Sequence, residues 1–105
     1  MYLDVQSVTE KAGTRKAWVK YAYSEVQTTT NGGKLFASSV TLEAYKCKER
    51  TVAIIQEVLY DKVEGGKVVQ SVSIPEHRLV FEDVVPDSLS EAGLNFACNM
   101  RLPAR

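Results

Sequence analysis

The stretch VPDSLSEAGLNFACN, residues 85–99, decides the fold, because it is the one helical pattern in a chain that otherwise alternates like strands. Pro86 and Asp87 lead into Ser88-Leu89-Ser90-Glu91, a capping-box pattern. In it the hydroxyl at the N-cap and the carboxylate at N3 each accept from an amide that the helix leaves unpaired. Leu89, Ala92, Gly93 and Phe96 recur at three- and four-residue intervals, and Leu94, Ala97 and Cys98 widen that apolar stripe. The pattern predicts a helix over 88–99. About ten residues make a marginal helix in water, so this one must pack on a support. The small side chains at 92, 93 and 97 let its axis come close to that support.

Upstream, the residues read as strands. Residues 2–9 alternate weakly, and EKAGTR turns around Gly13. KAWVKYAY then places Ala17, Val19, Tyr21 and Tyr23 on one face and Trp18, Lys20 and Ala22 on the other, with the aromatic and β-branched content of a strand. QTTTNGGK is a loop, and in LFASSVTLEAYKC the residues Phe36, Val40, Leu42 and Ala44 alternate with Ser39, Thr41, Glu43 and Tyr45. KER, at 48–50, suits a short charged hairpin. TVAIIQEVLY is apolar on both parities, as in a strand covered on both sides. DKVEGGK closes a hairpin on Gly65 and Gly66, VVQSVSI is a strand ended by Pro75, and a short edge strand is expected near Leu79–Phe81. The expected fold is α+β: a five- or six-stranded antiparallel meander with one C-terminal helix on one face. Trp18 is expected beneath the helix, although both-sided apolarity in TVAIIQEVLY leaves open which face receives it.

A chain of 105 residues supports one domain, 1–105, and no repeat or linker divides it. Thirteen basic side chains balance thirteen acidic ones, so no net field draws the chain to nucleic acid or to an anionic membrane. No apolar run has the length of a transmembrane segment. Met1 leads directly into an alternating pattern, so no signal peptide is read, which leaves either a cytoplasmic protein or a mature fragment of an exported one.

Side chains able to carry chemistry are sparse. His77 stands between Glu76 and Arg78, which point elsewhere on an extended chain, so it reads as a loop residue and not a base. Ser38, Ser39 and the threonines at 28–30 lack a nucleophile elbow. Asp61 and Glu64 lack the register of a calcium loop, and neither glycine pair leads from a strand into a helix. The expectation is no catalysis, no metal and no cofactor. The aromatic residues read mainly as core. Lys20, Lys46, Lys48 and Arg50 with Tyr45 form a candidate protein-binding patch at one end of the sheet, which suits an acidic partner. Cys47 and Cys98, 51 positions apart, are either bridged or two buried thiols.

Several segments resemble the surface-adhesin protein E family of small bacterial domains. They are Trp18-Val19-Lys20-Tyr21, Tyr45-Lys46-Cys47-Lys48-Glu49-Arg50, Tyr60-Asp61 before a glycine-containing hairpin, Pro86-Asp87-Ser88 with Glu91, and Cys98. The likeness runs from about Ala17 to Cys98. It implies an antiparallel sheet whose C-terminal helix is held by a Cys47–Cys98 disulfide, export to the periplasm, outer membrane or cell surface, and no enzymatic activity. It also implies a protein partner, either a host extracellular protein or an envelope component. A second expectation is an envelope domain that forms a homodimer through a sheet edge.

Overall fold

The computed structural model describes residues 1–29 and 32–102; Thr30 and Asn31, part of the expected QTTTNGGK loop, lie outside the described residues, as do 103–105. Four strands rich in β-branched and aromatic residues form an antiparallel meander in chain order: β3 (Thr14–Thr28), β4 (Leu35–Lys46), β5 (Thr51–Tyr60) and β6 (Val68–Ser73). β1 (Tyr2–Leu3) and β2 (Thr9–Lys11) pair side by side with the outer edge of β3. The single weak strand expected over 2–9 is broken there by a 3-10 turn at Val5–Ser7, where the Asp4 carboxylate accepts from the Gln6 amide. β7 (Glu82–Asp83) pairs with Thr51 and Val52 of β5, which brings the sheet to seven strands.

The short edge strand expected near Leu79–Phe81 is therefore displaced to 82–83. Behind Pro75, Glu76–Arg78 close a 3-10 turn in which the Arg78 and Leu79 amides donate to the carbonyls of Pro75 and Glu76. The hairpin at Asp61 follows the glycine reading: the Lys67 amide donates to the Asp61 carboxylate, and a Cβ at Gly66 would lie 2.7 Å from that carboxylate.

Helix α1 (Leu89–Asn99) begins as its capping residues require. The Ser88 hydroxyl accepts from the Glu91 amide at 3.2 Å. The Glu91 carboxylate accepts from Asp87 and not from the cap residue itself, because the Ser88 amide is already given to the Val85 carbonyl.

The helix lies on the face that carries Arg15, Ala17, Val19 and Tyr21 from β3, with Tyr45, Glu43, Thr41 and Ser39 opposite them in β4. Leu94 and Ala97 pack there against Ala17, Tyr45 and Val8, all nearly inaccessible to solvent. This corrects two expectations. The packing face of α1 is Gly93, Leu94 and Ala97, whereas Leu89 and Phe96 are 57% and 51% exposed. Trp18 is half-buried on the opposite face, in register with Leu42, so it does not lie beneath the helix.

Gly93 explains the choice: it rests on the Tyr45 phenol, and a Cβ at position 93 would sit 2.6 Å from that hydroxyl oxygen. Two further ties fix the C-terminal end. Arg15 reaches from β3 and donates to the carbonyl oxygens of Ala97, at 2.7 Å, and Met100, a favourable place for a cation because unpaired carbonyls gather there. Cys98 is bridged to Cys47 in the β4–β5 turn, with 5.6 Å between the α-carbons.

Candidate protein-binding site

Of the basic cluster read from the sequence, Lys46, Lys48 and Arg50 stay together around the β4–β5 turn, whereas Tyr45 and Lys20 do not join them. Tyr45 has no solvent exposure and is a core residue, because the helix closes over it. Lys20 lies six positions along β3 from Thr14, the partner of Lys46, which is about 20 Å of strand, and it pairs with Glu64 at 3.0 Å. Lys46 stands over the Phe81 ring at 4.2 Å. Arg50 donates to the Asn95 side chain at 2.9 Å and pairs with Glu91, so it braces α1. Lys48 is exposed in the turn beside the bridge. His77 is exposed in its 3-10 turn.

One concavity lies on the helix-bearing face, beyond the end of α1 that Ser88 caps. It encloses roughly 620 Å³ between the sheet and residues 74–90. At its base is Glu43, 3% exposed. One carboxylate oxygen accepts from the Tyr21 hydroxyl at 2.7 Å and from Thr41 at 2.6 Å, and the other accepts from Tyr45 at 3.0 Å. Burial, reinforced by the Glu43 carboxylate, pushes the phenols of Tyr21 and Tyr45 well above the ordinary tyrosine range. Both phenols therefore stay neutral and remain donors.

Glu57 faces the same concavity opposite Thr41, half-buried. Tyr23 forms a wall; it shares a hydrogen bond with Ser39 and meets Phe36 edge-on with 5.6 Å between ring centres. Sequence reading missed Glu43 because it lies on the polar parity of β4. The available signal was the spacing Thr41-x-Glu43-x-Tyr45, which puts two hydroxyl donors beside one carboxylate on a single strand face.

Among the described residues, no group of three or more His, Cys, Asp or Glu is placed to hold a metal, and no helix is long and apolar enough to cross a membrane. What the sheet, the stapled helix and the open face define together is a small disulfide-bridged α+β module. The chain belongs to the surface-adhesin protein E family, whose model matches residues 1–99.

Solved structures carry the same fold. Crystal form II of Haemophilus influenzae protein E superposes with a TM-score of 0.66 at 11% identity, covering 92% of this chain and 78% of that one. Protein E from non-typeable Haemophilus influenzae gives 0.61 at 12% identity, covering 92% and 67%. None of the curated proteins compared matches the chain.

Proposed function

We propose that this protein is a non-catalytic, exported module that binds other proteins at the bacterial cell envelope or surface. Membership of the surface-adhesin protein E family, over nearly the whole chain, is the observation that carries the reading. The Cys47–Cys98 bridge supports it, since such bonds persist in oxidising compartments outside the cytoplasm. Surface plasmon resonance of the oxidised protein over immobilised extracellular-matrix and envelope proteins tests it. Saturable binding to at least one is expected; a folded protein that binds none of them overturns the reading. The double variant Lys46→Glu/Lys48→Glu tests whether the basic turn contributes to the contact.

A second reading, self-association, rests on free sheet edges. Among the described residues β1 and β2 cover the outer edge of β3 only between Thr14 and Lys20, and Val26, farther along that strand, is 59% exposed. Among the described residues β6 pairs with β5 alone, and it exposes Val68 and Val72. Light scattering over a range of concentrations separates the two: a constant dimer supports self-association, and a strict monomer excludes it.

A further inference from the structure

The concavity holds more negative charge than its surroundings neutralise. Glu43 is buried and Glu57 half-buried, and among the described residues no lysine or arginine pairs with either. A carboxylate has about four acceptor sites, and the three hydroxyls on Glu43 leave one of them open. Glu82 adds a third carboxylate at the rim, against a single cation there, Arg78, which is exposed and forms no ion pair among the described residues. Hydroxyl donors alone are weak compensation for buried negative charge, so the site favours an incoming cation.

The walls say which cation. Ile54 and Leu89 form part of an apolar collar, 44% and 57% exposed, around the acidic base, and Tyr23 presents part of its ring beside it. Exposed apolar side chains beside a buried carboxylate suit a long side chain with an aliphatic stem and a charged head. A planar guanidinium pairs with carboxylates through fixed forked donors and stacks on aromatic rings, which a lysine ammonium does not reproduce.

We propose that the concavity bounded by Glu43, Glu57, Tyr23, Ile54 and Leu89 is a receptor for an arginine side chain presented by a partner protein. The inference deepens the protein-binding reading and is separable from it. The probe is the blocked tripeptide Ac-Gly-Arg-Gly-NH2, with Ac-Gly-Gln-Gly-NH2 as its neutral counterpart, titrated into the labelled, oxidised protein while amide shifts are followed by NMR.

The arginine peptide should shift amides at Thr41, Ile54, Glu57 and Leu89 saturably, and the glutamine peptide should not. Glu57→Gln, at a half-buried position outside the core, should weaken the arginine peptide about two- to fivefold. Glu49→Gln, exposed in the β4–β5 turn and not part of the concavity's lining, should leave it unchanged. Arg78→Gln should tighten it, because a competing cation is removed from the rim. Equal shifts from both peptides, shifts scattered over all surface carboxylates, or indifference to Glu57→Gln would overturn the proposal. Such a failure leaves the adhesion reading intact. Conversely, arginine binding together with no extracellular partner would sink that reading alone.

Discussion

A single methyl group at position 93 would meet the Tyr45 hydroxyl oxygen at 2.6 Å. Gly→Ala in an open helix is stabilising by about 1 kcal/mol, because glycine forfeits more backbone entropy on folding. Here the sign should reverse: Gly93→Ala should lose about 1–3 kcal/mol in urea unfolding, since the helix or the phenol must move. The phenol has little freedom, because it donates to Glu43. A pH dependence follows from the same cluster. Tyr21 and Tyr45 hold their protons above the value near 10 at which an unfolded tyrosine ionises. Beyond pH 10 the unfolded chain therefore binds fewer protons than the native one. Stability from the two neutral phenols is present below about pH 10 and declines as pH rises past it, by up to about 1.4 kcal/mol per pH unit for each. Urea unfolding near pH 8 and near pH 11 should show that decline, and Tyr45→Phe should be less stable at the lower pH but lose less on going to the higher. None of this was legible from Tyr45 itself, which the sequence pattern assigns to a surface patch until the helix is placed on it.

The limits of α1 were legible from local chemistry, whereas its roll about its own axis was not. Ser88 and Glu91 mark the start by bonds that lie within one turn. Apolar residues from Leu89 to Cys98 nearly encircle the helix, so periodicity alone favoured Leu89 and Phe96, and both proved exposed. The roll is set by partners remote in sequence: Tyr45 under Gly93, Cys47 beside Cys98, and Arg15 below the last turn. Arg15 gave no sequence signal because its acceptors lie more than eighty residues away. Arg15→Ala should cost about 1–3 kcal/mol, and hydrogen exchange should quicken mainly at the amides of residues 96–99, the turn that loses its cation. Uniform acceleration along the whole helix would contradict a local role. The misplaced edge strand has a similar origin, since Leu79–Phe81 has strand composition but the turn after Pro75 carries it past the sheet before pairing resumes at Glu82.

Over the whole molecule, the meander order and the terminal helix followed from alternation and turn residues. The face of the sheet that is buried ran against composition. On β4 the polar parity faces inward: Ser39, Thr41 and Glu43 are each at most 3% exposed and hydrogen-bond to hydroxyls, those of Tyr21 and Tyr23 reaching from β3 and Thr41 bonding Glu43 within β4 itself. Hydrophobic alternation cannot report a buried face whose polar groups bond to one another. The same arrangement leaves an anionic concavity beside the helix, where an arginine-binding role is proposed. The tie that holds these parts together closes 51 positions of chain and should contribute about 4 kcal/mol by restricting the unfolded state. Cys47→Ser/Cys98→Ser should lower urea stability by roughly that amount. The most direct test is the mass of the protein isolated from its own cells, denatured and alkylated without reductant. The account predicts no alkyl adduct on either cysteine and a proteolytic fragment in which the peptides of Cys47 and Cys98 remain joined. Two alkylated cysteines would contradict it.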